Sequence, residues 1–328
     1  MSRYRWLFWA IAAVSAVLAL RFAARFPWAT TVTALRAADW PLLAAAALAS
    51  LASVAAKGWA WHLLLRPAWP HRWRDAQAAT IVGAAVSAVS VSVSGEAARL
   101  QTLARRTEPP LGTVVSSVVW SRVTEAIALA VFLAASLMLL PPGSWVRGVR
   151  IGAALALGVV VLLWLTGAWR GLVQRLPARW RNVTGIGSAT GTPPLPAPVA
   201  LGVANWVLQW VAYHWSIVAV GIAAPSGAAL AALVAANLGG ILRLTPGNVG
   251  VLQASIVMGL LPFGVAADRA LAAGLALQAV QVVPVFAAGL AIAGGAVFRT
   301  RAPAVVVAPF SRSAGGTAAD SGTGGSAG

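Results

Sequence analysis

Few side chains in this sequence can carry chemistry, and the most telling pair lies in apolar surroundings. Arg122 and Glu125 stand three residues apart inside the run Val114 to Leu140, a spacing that puts both on one helical face. A charge at the centre of a membrane helix costs about 2.5–3.5 kcal/mol on insertion scales. Two such charges either neutralise one another and fix helix packing, or they line a buried polar site. In the second case Arg122 grips a phosphate, whose oxygens match the guanidinium fork, and Glu125 holds that fork or lets it go. Glu96 and Arg99 repeat the three-residue spacing just past the break Ser94-Gly95-Glu96. Glu96 also suits a helix N-terminus, whose dipole favours an acid. Arg243 directly precedes a second break, Thr245-Pro246-Gly247-Asn248-Val249-Gly250. It either snorkels to an interface or points into the same cavity as Arg122. That turn's N–H groups suit a phosphate, although a plain helix break accounts for it equally. Lys57, Asn205, Gln209 and His214 read as interhelical hydrogen-bonding groups.

Other chemistries find little to use. The chain has no cysteine, only seven Asp and Glu residues, and three histidines. His62, His71 and His214 form no HExxH and no close pair in sequence. No metal, cofactor or catalytic residue is therefore expected, and the protein is not expected to be an enzyme.

The elements that must position these residues are set by composition. Of 328 residues, 59% are hydrophobic and 9% charged, with mean hydropathy +0.81. A soluble domain carries about 25% charge to wet its surface, so lipid must be the solvent here. The net charge of +17 comes in short arginine clusters between apolar runs, such as Arg66, Arg72 and Arg74, or Arg170, Arg175, Arg179 and Arg181. That pattern marks membrane topology rather than nucleic-acid binding, which needs one continuous basic face.

Full spans are expected at Trp6 to Leu20, Leu42 to Leu65, Val114 to Leu140, Ile151 to Ala168, Val199 to Ala223 and Ala270 to Val297. Thr80 to Ser94, Ala228 to Leu242 and Val251 to Leu261 are too short to cross and read as re-entrant. Their irregular backbone must lie inside protein or line a cavity. A cytoplasmic N-terminus with two re-entrant hairpins keeps most arginine clusters inside, as the positive-inside rule requires. Each hairpin precedes a span with two polar residues three apart, Arg122 and Glu125 in one and Gln278 and Gln281 in the other. The fold class is thus an all-α polytopic bundle: about six full spans plus two broken hairpins in an inverted repeat, a transporter-like design. Residues 1–298 form the membrane domain. Residues 299–328, ending SAGGTAADSGTGGSAG, read as a disordered cytoplasmic tail.

The stretches SGEAARLQTLARR, SSVVWSRVTEAIALAVFLA and LTPGNVGVLQASIVMGLLPFGVAADRALA resemble motifs of the flippase-like family typified by the membrane domain of lysylphosphatidylglycerol synthases. The resemblance covers about residues 5 to 298. It implies a multi-pass protein of the bacterial inner membrane that handles a phospholipid or lipid-linked substrate, and the buried charges beside paired helix breaks make translocation of an anionic head group the expected function. It marks Gly95, Glu96, Arg99, Arg122, Glu125, Pro246, Gly247 and Gly250 for the head-group site. The family's glutamate after the second turn is Gln253 here, which leaves a proton-coupled role at that place unsupported. The acid that usually precedes the intramembrane arginine is Ser121, leaving Glu125 as the one close partner for Arg122. No aminoacyl-transferring domain follows the last span, so lipid aminoacylation is not expected. The alternatives are an accessory scaffold for a partner envelope enzyme, and a membrane-embedded glycosyl- or phosphotransferase.

Overall fold

The computed structural model describes residues 28–90, 94–136, scattered positions between 148 and 166, 195–240 and 248–297. Among them it holds nine α-helices, one short 3-10 turn and no strand. They are α1 (Trp28–Arg36), α2 (Trp40–Leu65), α3 (Trp73–Val89), α4 (Ser94–Thr107), α5 (Leu111–Ser136), α6 (Pro196–Ala219), α7 (Ser226–Gly240), α8 (Val251–Leu260) and α9 (Ala267–Val297). Within α2, α5 and α9, the stretches Trp40–Leu65, Gly112–Ala135 and Ala267–Gly294 are long and apolar enough to cross a membrane. The expected first span, most of Ile151 to Ala168, and the tail lie outside the described residues, as do Arg243, Pro246 and Gly247.

Each helix end has a local cause. Asp39 caps α2, its side chain accepting from the Leu42 N–H at 3.0 Å with Pro41 in the first turn. The Asp39 N–H donates to the Ala219 carbonyl at 2.8 Å, tying the start of α2 to the end of α6. In α4, Glu96 lies in the first turn and Arg105 and Arg106 in the last, which suits the helix dipole at both ends. Gly250, at φ +85°, turns the chain into α8 in the left-handed region that favours glycine.

A long–short–short–long pattern occurs twice: α2, α3, α4, α5 and then α6, α7, α8, α9. The four short helices span about 25, 21, 22 and 15 Å at 1.5 Å per residue, less than the roughly 30 Å of hydrocarbon. They pair as hairpins, α3 with α4 and α7 with α8. The long helices α2 and α6 pack along each other, and α5 and α9 each touch both. The neighbours of the long helices therefore correspond, whereas the hairpins differ: α3 and α8 both pack on α9, without comparably close α7–α5 or α4–α5 pairs among the described residues.

Small residues close the hairpins, since dispersion rather than hydrophobicity drives packing in lipid. A Cβ on Gly259 would meet the Ala232 Cα at 2.7 Å, so α8 lies against the backbone of α7. The larger core joins the first half of α2 to α6 through α9, with Leu230, Leu233, Ile256 and Leu260 sealed inside. A smaller one gathers Trp61, Leu65, Ala76, Ala79 and Leu103 where α2 meets the first hairpin.

One boundary differs from expectation. Thr80 to Val89 belong to a helix that starts at Trp73, and Ser94 already opens the next helix. Its first turn holds Asp75, favoured by the dipole, and Arg106 Nη1 reaches Asp75 Oδ1 at 3.5 Å from the end of α4. The open end of the hairpin is polar, so hydropathy alone misses its first turns.

Candidate functional site

Three helices bring charge to one place. Lys57 and Trp61 stand four apart on α2, Glu96 and Arg99 three apart on α4, and Arg122 and Glu125 three apart on α5, so each helix offers one face. Arg122 Nη1 donates to Glu125 Oε2 and Arg122 Nη2 to Glu96 Oε2, both at 3.0 Å. Glu96 Oε1 accepts from Arg99 Nη1 at 3.3 Å. Glu125 Oε1 lies 2.9 Å from Lys57 Nζ. The result is an unbroken chain of alternating charge, Arg99–Glu96–Arg122–Glu125–Lys57.

Its members differ sharply in access. The Arg99 side chain is 4% exposed, whereas Arg122 is 53% exposed. The Arg99 guanidinium carbon lies 3.8 Å from the centre of the Trp61 ring, a cation–π contact away from water. Trp61 is itself held, its Nε1 donating to Ser117 Oγ at 3.1 Å. Arg99 Nε and Nη2 are buried and have no hydrogen-bond partner among the described residues. A crevice beside the charges is lined by Lys57, Ser121, Thr124 and Glu125, and by Gly202 and Asn205 of α6. Asn205 is buried and accepts from Gln209 Nε2 at 3.3 Å.

The second half holds amides at the corresponding places. Gln253, 3% exposed, accepts the Gly250 N–H on Oε1 at 2.6 Å and donates through Nε2 to Gln278 Oε1. Glu96 is two residues past Ser94, the start of its helix, as Gln253 is past Val251. Arg122 is eleven past Leu111, as Gln278 is past Ala267. The pair Glu96–Arg122 in the first half is thus matched in register by Gln253–Gln278 in the second.

The sequence matches the family described as the lysylphosphatidylglycerol synthase TM region over residues 8–289. The chain belongs to that family. No curated protein matches it in a comparison. The lysylphosphatidylglycerol synthase transmembrane region is an integral membrane unit tied to lipid metabolism or transport, and the apolar helices α2, α5 and α9 fit that class.

Of the residues the sequence pointed to, Glu96, Arg99, Arg122 and Glu125 come together in one cluster. Gly95 lies in the first hairpin, while Gly250 and Gln253 sit at the start of α8, in the other half. Two expectations are corrected. Glu125 is not the one close partner of Arg122, because Glu96 reaches it from α4. His62 and His71 do form a close pair, Nδ1 to Nε2 at 2.9 Å, across the turn after α2. Lys57, expected to make an interhelical polar contact, does so with Glu125 of α5 and so joins the cluster. Its one sequence signal is being the sole lysine of the chain, set inside an apolar run. Gln278 accepts from Gln253, and Gln281 hydrogen-bonds the buried Tyr213.

Proposed function

We propose that the protein translocates an anionic phospholipid or lipid-linked head group across the bacterial inner membrane, without catalysing a reaction. The observation that carries the reading is Arg122, a half-exposed guanidinium near the middle of α5. It lies eleven residues, about 16 Å, from the start of that helix. An arginine there cannot face hydrocarbon cheaply, so its exposed side opens on a wet crevice. A head-group phosphate entering that crevice meets the fork, and the acyl chains stay in lipid.

Two re-entrant hairpins in an inverted arrangement, set among about six full spans, form the frame for this movement. The Glu96–Arg122 and Gln253–Gln278 contacts support it, since each ties a residue near a hairpin tip to a mid-helix residue of the following span. A hairpin whose tip ends at mid-depth enters and leaves on one side. Broken helices meeting near the midplane are where alternating-access proteins hold their cargo.

The test uses purified protein in liposomes carrying a fluorescent anionic phospholipid, with a membrane-impermeant quencher outside. Wild type should expose inner-leaflet lipid to the quencher, and Arg122→Gln should slow this at least tenfold, about 1.4 kcal/mol of lost interaction. Equal rates would end the proposal. Orientation has its own test, because the chain lacks cysteine. Single cysteines at Trp73, at the open end of the first hairpin, and at Val265, at that of the second, should label from opposite faces in intact cells. Labelling from one face would remove the inverted arrangement.

A further inference from the structure

The two carboxylates of the charge cluster divide their oxygens in the same way. Each puts Oε2 on Arg122 and Oε1 on another cation: Glu96 on Arg99 at 3.3 Å, and Glu125 on Lys57 at 2.9 Å. Arg99 is anchored independently, 3.8 Å from the Trp61 ring. Lys57 is carried one helical turn from that tryptophan on α2. Arg122 is the most exposed of the three cations, at 53% against 37% for Lys57 and 4% for Arg99.

We infer that Glu96 and Glu125 are built-in competitors for the Arg122 fork, and that Lys57 and Arg99 are the reserve cations that take them up when a phosphodiester enters. The inference rests on the reading of Arg122 as head-group anchor and adds how that anchor is loaded and released. The two non-bridging oxygens of a phosphodiester replace two carboxylate oxygens, one on Nη1 and one on Nη2. Each displaced carboxylate moves onto a cation it already touches. No covalent bond changes, and no carboxylate is stranded unpaired in a medium of low dielectric, where it would be costly.

Both reserves have donors to spare. Arg99 Nε and Nη2 are buried without hydrogen-bond partners among the described residues. Lys57 offers three N–H donors. The same carboxylates return to Arg122 as the phosphate leaves, so the anchor is freed without exposing a bare charge. A fork without competitors would bind the head group more tightly and release it slowly. Lys57 thus acts as a positioning residue, working on the ligand through Glu125.

The experiment uses full-length protein in phosphatidylcholine nanodiscs doped with phosphatidylglycerol, a monoanionic phosphodiester, and reads the lipid retained by the protein. Lys57→Gln leaves Glu125 with Arg122 as its one ion-pair partner among the described residues and should weaken retention about tenfold. Adding Glu125→Gln to it removes the competitor and should restore retention to the wild-type level or above. Lys57→Arg keeps a reserve cation and should recover most of what Lys57→Gln loses. Soluble glycerophosphoglycerol provides a second arm. Competition by it shows the exchange working on a free phosphodiester, and retention of lipid without such competition shows it working on lipid alone.

Wild-type retention in Lys57→Gln would overturn the inference. So would a double variant as weak as the single one, which would mean that Lys57 touches the ligand directly. The two readings separate when nanodisc retention is set beside translocation in liposomes. The stated retention pattern without translocation removes the transport proposal alone, whereas translocation without that pattern removes the exchange alone. Wild type that retains no phosphatidylglycerol removes both.

Discussion

Replacing Glu96 with leucine is expected to cost about 3–5 kcal/mol of stability, the range for breaking a buried ion pair from one side. Arg99 would keep its stacking on Trp61 but lose its one ion pair among the described residues. Its guanidinium, 4% exposed, has no water to turn to. Arg122 would lose one of two carboxylates but is open enough to be hydrated in part. The cost therefore falls on Arg99. Two comparisons check that assignment in detergent-solubilised protein unfolded by denaturant. Glu96→Gln keeps an acceptor and should lose less. Glu96→Leu combined with Arg99→Met removes both charges and should recover most of the stability, as replacement of whole buried pairs does. An E96L protein as stable as wild type would show that Arg99 is compensated elsewhere.

Gly83→Val is expected to damage the first hairpin strongly, at about 3 kcal/mol. A Cβ at position 83 would lie 2.7 Å from the Arg99 Cβ and 2.8 Å from the Gly95 carbonyl oxygen. A Cβ at position 95 would meet the Gly83 carbonyl at 2.7 Å. The two helices cross with backbone against backbone at these glycines, so a side chain at either place must push α4 outward. Glu96 and Arg99 ride on α4, and their contact with Arg122 would go with it. Both stability and lipid translocation should therefore fall, with Gly83→Ala changing in the same direction by less. Gly294→Val serves as the control, because nothing lies within 4 Å of a Cβ there. A Gly83 variant that melts with wild type while the Gly294 variant does not would refute this account of the crossing.

The sequence carried the outline of this architecture well. Leu42 to Leu65, Val114 to Leu140, Val199 to Ala223 and Ala270 to Val297 each lie largely within one helix of the described structure. The short runs at 228–242 and 251–261 fall within two residues of α7 and α8. Apolar length is a direct record of the solvent, and for that reason it was legible. Pairings between helices were not. Arg122 and Glu125 announce each other by spacing, but Glu96 lies 26 residues from Arg122, and Lys57 sits on yet another helix. Nothing local in a sequence encodes which faces of three helices converge. The His62–His71 contact escaped for a related reason: nine residues separate them, and a turn, not a helix, folds one back on the other. Hydropathy also misplaced the start of α3, whose first turn holds the charged Arg74 and Asp75.

The equal register of Glu96–Arg122 and Gln253–Gln278 carries a consequence for energetics. Two halves alike in outline and in polarity would give a molecule facing inward and its mirror facing outward the same free energy. In the proposed movement, the half carrying Glu96–Arg122 wets ionised groups when it opens, and at the matching register the other half wets the amides Gln253 and Gln278. On the proposed alternating access, hydration rewards those two openings unequally, so one facing is expected to be the resting one before any cargo arrives.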